Sequence, residues 1–294
     1  MSTELHKALE VPAHYDLRAF SELLWQRHVP HRISESGSAQ IIWVADAELI
    51  EKVNTLFKAV DDGELSLPEA LQNSPMPRPA VSWNAWREYP VTLILILMSI
   101  AGAILVAVDP SLKWVSHLTF YQYQLAGDHL RVGLPPAGES WRILTPIFLH
   151  FGLLHICFNA LWMWELGRRV EIQQGGWRLM GITVLVGMGS NLAQAMTTGV
   201  ALFGGLSGVI YGLLGYAVVW GKLRPFEDFG IPKAVVIFML VWLFASYLGL
   251  GRLLSGNDTA NAAHLGGLIM GVLLAITAGG LDNARRIGPS DSEP

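Results

Sequence analysis

Cysteine and charged residues are both scarce in this sequence. The single cysteine, Cys157, excludes an intramolecular disulfide framework, and we expect it to be a small buried apolar residue. Charged residues make up 15% of the 294 positions, whereas soluble domains usually carry about 25%. The net charge of −4 provides no basic excess that would favour nucleic-acid binding.

The few charges are also unevenly distributed. Residues 1–90 hold 21 of the 44 Asp, Glu, Lys and Arg residues, whereas residues 91–281 hold only 18. This asymmetry excludes a uniform soluble domain and predicts a polar N-terminal part followed by a membrane-embedded body. Because no basic start with an apolar segment precedes residue 90, we expect no cleaved signal peptide.

Residues 1–70 have the pattern of a small α/β cytoplasmic domain. Apolar side chains recur at helical spacing over 17–28 and 49–60, and strands are predicted around Ile33 and over 40–45. The histidines of this part lack the spacing of a metal site, and nothing in it looks catalytic. Alternating prolines predict an extended linker over 71–89, followed by a membrane domain over 90–282 and a cytoplasmic tail over 283–294.

The membrane domain contains long runs with very few charges, which predict an all-α polytopic membrane protein with six spans. Loop charges predict its orientation. An even number of spans places both termini on one side of the membrane, and that side carries ten Lys and Arg residues against four on the other. Both termini are therefore expected in the cytoplasm, with the loop over 109–142 facing outward. The predicted spans are 91–108, 143–164, two within 179–221, 234–251 and 259–281.

Polar side chains inside the predicted spans are informative because they are costly in a bilayer. His155 and Asn159 are four residues apart, as are Ser207 and Tyr211, so each pair shares a helical face. Gly267 and Gly271 allow the sixth span to approach another helix closely, which would bring the fourth and sixth spans into contact. The polar residues considered are His150, His155, Asn159, Ser207, Tyr211 and His264.

The arrangement of these residues predicts acyl-transfer chemistry. Ser207 would begin the fourth span after a non-helical segment, where free backbone N–H groups and the helix dipole surround it. An adjacent imidazole, His264, can take its proton, and His155 with Asn159 can donate hydrogen bonds to an oxyanion. Since the fourth and sixth spans hold no acid, we predict a Ser–His dyad, with His264 oriented by packing against Tyr211.

Three segments carry a resemblance to a known family: WRILTPIFLHFGLLHICFN (141–159), GGLSGVIYG (204–212) and AHLGGLIMG (263–271). In this order and in these spans, they resemble the rhomboid intramembrane serine proteases, in the six-span bacterial form with a small N-terminal cytoplasmic domain. The resemblance implies a six-helix rhomboid bundle in the bacterial inner membrane, with its site open to the periplasmic side. It implies membrane-protein substrates cleaved in or near their transmembrane segments, with the bilayer as a partner and without metal, cofactor or nucleic acid.

The resemblance also implies roles for individual residues. Ser207 would be the nucleophile and His264 the general base and then acid, with an oxyanion hole formed by His155, Asn159 and the Ser207 N–H. The supporting residues would be Tyr211, His150 and Gly205. Phe238 and Trp242 on the fifth span would line the side through which a substrate helix arrives, whereas Glu171, Trp141 and Arg142 would be structural.

Three other functions remain as alternatives. A transporter or proton pathway would normally carry charged side chains in mid-span, whereas the only acid within spans two to six is Glu165, at a span end. A metal enzyme could use His150, His155 and His264, but their spacing is not that of a zincin and no carboxylate is near. A catalytically inactive rhomboid-like protein that binds membrane helices would lose the serine or the histidine, and both are present.

Overall fold

The computed structural model describes residues 5–36, 38–65, 67, 85–126, 129–135, 137–198, 201–224, 227–255 and 259–286. The chain forms two compact units, Met1–Val81 and Ser82–Pro294. Most of the predicted linker and tail, namely residues 71–84 and 287–294, lie outside the described residues, as do residues 68–70.

The first unit is a three-stranded antiparallel sheet with two helices. Its strands pair in the order β1-β3-β2, and its core includes Phe20, Leu24 and Ile42. The predicted strands and helices are confirmed, except that the first helix ends before His28, which has a φ of 56°. The elements are β1 (His6–Pro12), α1 (Arg18–Gln26), β2 (His31–Ser36), β3 (Ala39–Val44) and α2 (Glu48–Asp61).

Strand β1 was not predicted from the sequence, and its irregular register explains why. The pairing with β3 shifts between Lys7 and Leu9, so the buried side chains Ala8 and Val11 are three residues apart. A bulge of this kind breaks the alternation by two that identifies a strand in a sequence.

The second unit is mostly helical. Among the described residues, three helices are long and apolar enough to cross a membrane: Pro90–Val108, Gly176–Thr198 and Asn261–Gly279. Two shorter helices found there are also apolar: Ser207–Leu223 and Lys233–Tyr247. The helices are α3 (Ala85–Glu88), α4 (Pro90–Val108), α5 (Leu153–Trp162), α6 (Arg168–Gln174), α7 (Gly176–Thr198), α8 (Ser207–Leu223), α9 (Lys233–Tyr247), α10 (Leu250–Ser255) and α11 (Asn261–Arg286).

The second predicted span, 143–164, is wrong in its first part. Short 3₁₀ turns occupy Ser140–Ile143 and Thr145–Phe148, and α5 begins only at Leu153. The chain is extended at Leu149, and Gly152 has a φ of 143°, which disfavours a helix in this stretch. The helical segment instead extends beyond the predicted end, through a π-helical turn at Met163–Gly167 into α6. The fifth span is shorter than predicted, because α9 stops at Tyr247 before Gly249, whose φ is 92°.

The connection between α4 and α5 is built around a two-stranded antiparallel hairpin, β4 (Gln122–Ala126) and β5 (His129–Gly133). Arg142 is buried and donates hydrogen bonds to the carbonyls of Ser116 and Thr119, and the Trp141 indole donates to the His117 carbonyl at 3.1 Å. The predicted structural role of Trp141 and Arg142 is therefore confirmed.

Helices α8 and α11 run parallel and make the closest contact in the unit. A Cβ added to Gly267 would overlap the carbonyl of Gly208, and one added to Gly271 would overlap the carbonyl of Gly212. The predicted close approach of these two spans is therefore confirmed, and it brings the N-terminal ends of α8 and α11 together. By contrast, Cys157, which we expected to be buried, is exposed.

Candidate active site

Ser207 and His264 lie in contact at the neighbouring N-terminal ends of α8 and α11. The hydroxyl Oγ of Ser207 and Nε2 of His264 are 2.8 Å apart, although 57 residues separate them in the sequence. Ser207 is partly exposed, whereas only 5% of His264 is exposed. The hydroxyl is therefore accessible, while the imidazole beside it is shielded from solvent.

The other ring nitrogen of His264 has no carboxylate partner among the residues that the structure describes. Nδ1 is buried and has no hydrogen-bond partner among the described residues. The Tyr211 ring lies with its centroid 4.9 Å from that of His264, at an interplanar angle of 38°. The Tyr211 ring therefore packs on the imidazole, and the predicted role of Tyr211 in orienting it stays a prediction.

Tyr211 has a second contact that the sequence did not predict. Its hydroxyl donates a 3.1 Å hydrogen bond to the carbonyl of Met239 on α9. The residue that packs on His264 therefore also links α8 to the helix predicted to line the substrate path.

The segment that leads to Ser207 is non-helical over residues 201–205, as predicted. Gly205 has a φ of 120°, and a Cβ added there would lie 2.6 Å from Nε2 of His155. Both its backbone conformation and this close contact require glycine. The Gly205 N–H donates to the Pro146 carbonyl at 3.0 Å, which fixes the segment against the 3₁₀ turns before α5.

His150 holds the same segment from the other side. Its Nδ1 donates to the Phe148 carbonyl at 3.0 Å, which leaves Nε2 as the acceptor for the Leu206 N–H at 3.3 Å. His150 is 1% exposed, and its ring centroid lies 4.9 Å from that of His155. His150 is not on a helix, contrary to our expectation that it would begin the second span, because α5 starts three residues later.

His155 and Asn159 lie four residues apart on α5. A Cβ added to Gly205 would lie 2.6 Å from Nε2 of His155 and 3.8 Å from Oγ of Ser207, so the His155 imidazole lies close to the serine hydroxyl. The side-chain amide of Asn159 donates to the His155 carbonyl at 2.8 Å, and its Oδ1 is buried without a partner among the described residues. An amide carries two N–H donors, so one remains for another acceptor.

Helix α7 supplies polar side chains that were not identified from the sequence. The side-chain oxygen Oε1 of Gln194 accepts a 3.0 Å hydrogen bond from the backbone N–H of Ala263, the residue before His264. The Asn191 amide donates to the Ile143 carbonyl at 2.8 Å. Both side chains are buried on α7, and their spacing with Ser190 and Gly187 on one face was the signal that could have identified them.

Phe238 and Trp242 lie on α9, and their side chains are 52% and 36% exposed. The Phe238 ring centroid is 5.8 Å from that of Trp162 on α5, so these two rings form a contact between α5 and α9. Within the described part of the chain, no group of three His, Cys, Asp or Glu side chains has the arrangement of a metal site.

Comparisons with known proteins show which family the chain belongs to. Residues 137–280 match the model of the Rhomboid domain, and residues 3–70 match that of the Rhomboid N-terminal domain. The chain is 31% identical over 273 residues to the Rhomboid protease GlpG of Yersinia pestis (strain Pestoides F), which covers 88% of this chain and 91% of the relative. It is also 31% identical over 280 residues to the Rhomboid protease GlpG of Serratia proteamaculans (strain 568), with the same coverage. The chain therefore belongs to the rhomboid family.

Proposed function

We propose that this protein is a serine endopeptidase that cleaves membrane proteins in or near their transmembrane segments. The observation that carries the proposal is the 2.8 Å contact between Ser207 Oγ and His264 Nε2. A serine hydroxyl is a weak nucleophile unless a base accepts its proton, and this contact has the distance that such a transfer requires. The membrane-spanning helices around the pair support a substrate that is itself embedded in the bilayer.

In the proposed reaction, Ser207 Oγ attacks the carbonyl carbon of the scissile peptide bond while Nε2 of His264 takes the hydroxyl proton. The carbonyl π electrons move onto oxygen, which gives a tetrahedral oxyanion. When that intermediate collapses, the C–N bond breaks and His264 gives its proton to the leaving amine. Water then attacks the resulting acyl-enzyme, with His264 again acting as the base, and the serine is released.

We assign stabilisation of the oxyanion to the backbone N–H of Ser207, His155 and Asn159. Ser207 is the first residue of α8, where backbone N–H groups lack helical partners and the helix dipole favours negative charge. The second amide N–H of Asn159 supports its role as a donor. Because other donors remain, we expect Asn159→Ala to lower kcat by about 100-fold without abolishing turnover. A change confined to KM would contradict this role.

The proposed topology has six spans, with both termini in the cytoplasm of a bacterium and the site open to the periplasmic side of its inner membrane. The excess of Lys and Arg on the side of the termini supports this orientation. In this arrangement the N-terminal domain occupies 1–70, the linker 71–89, the membrane domain 90–282 and the tail 283–294. The six spans are Pro90–Val108, 153–174, Gly176–Thr198, Ser207–Leu223, Lys233–Tyr247 and Asn261–Gly279.

Phe238 and Trp242 are proposed to line the side through which a substrate helix reaches the site. Their exposure on α9 and the Phe238–Trp162 ring contact support this assignment, because α5, which carries His155, and α9 meet at that contact. The proposed substrates are transmembrane proteins, and the reaction as written uses no metal or cofactor.

The test is labelling with a fluorophosphonate serine probe in detergent, together with cleavage of a reporter membrane protein. Labelling requires an activated serine, so we expect the wild-type protein to react and Ser207→Ala and His264→Ala to lose both labelling and cleavage. Ser140→Ala is the matched control, because it removes an exposed serine from the connection before α5. Turnover near the wild-type level in either site variant would refute the dyad.

The remaining alternative is a catalytically inactive rhomboid that only binds membrane helices. Folded wild-type protein that neither labels with the probe nor cleaves a reporter, yet retains a transmembrane peptide, would favour it.

A further inference from the structure

A cluster of cationic and aromatic side chains lies at the end of the helices opposite Ser207. Arg178 is in the first turn of α7, whereas Trp220 and Arg224 are at the C-terminal end of α8. Trp220 follows Ser207 by 13 residues, so it lies about 20 Å from the serine along the helix axis. The cluster is therefore separate from the candidate active site.

The cluster is organised around the Trp220 ring. The guanidinium carbons of Arg178 and Arg224 lie 5.3 Å and 6.0 Å from its centroid. The indole is 2% exposed and Arg224 is 9% exposed. Two positive charges thus share one aromatic ring in a largely desolvated position.

The hydrogen-bonding capacity of this cluster is mostly unused. Arg224 donates to the Gly279 carbonyl at 3.3 Å, but its Nε is buried without a partner among the described residues, as is Nε1 of Trp220. Arg178 donates from Nε to the Tyr216 hydroxyl at 3.1 Å. A guanidinium has five N–H donors and no acceptor, so the cluster holds several N–H donors around one ring and few acceptors for them.

The charge of the two arginines is also uncompensated within the part of the chain that the structure describes. The ion pairs found there involve other residues and include neither Arg178 nor Arg224. Asp228 packs beside Gly221 and accepts a hydrogen bond from the Gly230 N–H at 2.9 Å. Buried cations are normally paired, whereas the residues that the structure describes supply no carboxylate partner to either arginine.

We propose that Arg178, Trp220 and Arg224 bind the phosphate group of an anionic phospholipid in the leaflet at this end of α8. A guanidinium matches phosphate oxygens in bidentate geometry, and basic pockets between membrane helices suit acidic headgroups. Arg224 is 17 residues beyond Ser207, or about 26 Å along the helix, which is close to the hydrocarbon thickness of about 30 Å. The cluster therefore lies at headgroup depth if Ser207 is near the other surface.

The inference depends on the chain crossing a membrane and not on its proposed protease activity. The phosphate must belong to a lipid with net negative charge, because a choline group would bring a further cation beside the two arginines. Dioleoylphosphatidylglycerol is therefore expected to bind better than dioleoylphosphatidylcholine, although both carry a phosphate.

The experiment uses the full chain in a non-denaturing detergent, incubated with an equimolar mixture of these two lipids. Native mass spectrometry then counts the lipids retained per protein. We expect phosphatidylglycerol to exceed phosphatidylcholine by at least fivefold in the wild-type protein. Arg178→Gln and Arg224→Gln should each lower phosphatidylglycerol retention by at least fivefold. Lys222→Gln, the matched control, removes an exposed charge at the same end of α8 and should change retention by less than twofold.

Several outcomes would overturn the proposal. Equal retention of the two lipids would refute selection of an anion, and equal losses in Lys222→Gln and Arg224→Gln would indicate diffuse surface charge. Displacement of phosphatidylglycerol by an equal concentration of inorganic phosphate would show a free-anion site instead of a lipid site. If circular dichroism shows that the arginine variants do not fold, Trp220→Phe is tested in their place. This variant retains an aromatic ring but lacks the Nε1 donor. It should lower retention two- to threefold, and unchanged retention would then refute the site.

Discussion

The clearest stability prediction concerns Glu171, a buried acid on α6 that caps the first membrane helix. Its Oε1 accepts a hydrogen bond from the Val91 N–H at 2.8 Å, and its Oε2 accepts from the N–H and the hydroxyl of Thr92, both at 2.7 Å. Glu171 is 4% exposed and Thr92 is fully buried. Pro90 begins α4, so these N–H groups are among those that a helix leaves without partners at its start. The structural role expected for Glu171 from the sequence is therefore confirmed.

The loss of stability expected for Glu171→Gln follows from the hydrogen bonds that a side-chain amide can still accept. If its carbonyl oxygen takes the place of Oε2, both bonds from Thr92 survive, but an NH₂ group then faces the Val91 N–H. A hydrogen bond to a charged group contributes about 1.5–3 kcal/mol, and loss of the favourable charge at the helix start adds up to about 1 kcal/mol. We therefore expect a loss of about 2–4 kcal/mol in the free energy of unfolding.

The measurement is unfolding of the purified protein in mixed micelles, titrated with sodium dodecyl sulfate and followed by circular dichroism. Glu165→Gln is the matched control, because it removes the same charge from the same helical segment. Glu165 pairs with Arg168 and Arg169 in a partly exposed position, where an ion pair contributes about 0–1 kcal/mol. Losses in the two variants that agree within about 0.5 kcal/mol would refute the capping argument.

Three further predictions concern other parts of the membrane unit. Gly271→Val should separate α8 from α11, because its side chain would overlap the Gly212 carbonyl. Turnover should therefore fall more than tenfold, and unchanged turnover would show that the helices can shift without cost. Tyr211→Phe retains the ring on His264 but removes the hydrogen bond to α9, so the free energy of unfolding should fall by about 1 kcal/mol while kcat stays within about threefold of the wild-type value. A large loss of kcat at unchanged stability would contradict this division of roles. For Asp109, burial acts to raise the pKa, but hydrogen bonds from Val115, Ser111, Trp114 and Lys113 outweigh it and lower the pKa from 3.8. The stability that it contributes is therefore present above that value and lost as pH falls through the lower, folded-state pKa. The thermal midpoint of Asp109→Asn should lie below that of the wild-type protein at pH 7, and the difference should shrink in acid; a constant difference would refute the assignment.

Local pattern was sufficient for the positions of most helices and for singling out the side chains that the structure brings together around Ser207. The uncharged run from 179 to 221 predicted two helices separated by a turn, and the structure has α7 and α8 there. Residues four apart, such as His155 and Asn159, could be assigned to one face because helix geometry fixes that relation. The glycines of α11 likewise predicted a close neighbour, since only a missing Cβ permits backbone contact.

Local pattern failed where long-range contacts replace helical hydrogen bonds. The apolar stretch before Leu153 looks like a span in sequence, yet it forms 3₁₀ turns and extended chain that hold the segment before Ser207. His150 belongs to that stretch, and its bond to the Leu206 N–H joins residues 56 positions apart. Hydropathy measures how apolar a segment is, but it does not record which backbone groups will find partners elsewhere.

By itself, the sequence determined the apolar, membrane-type character of the helices after residue 90, the polar character of the N-terminal unit and the side chains available for chemistry. These depend on composition and short spacing, which survive in an unfolded chain. Only the tertiary structure decided that His264 faces Ser207 through Nε2, that Tyr211 binds α9 as well as packing on the imidazole, and that Glu171 caps α4. Each of these contacts joins residues 28 or more positions apart, so its distance is fixed by how the helices pack against one another and not by local sequence.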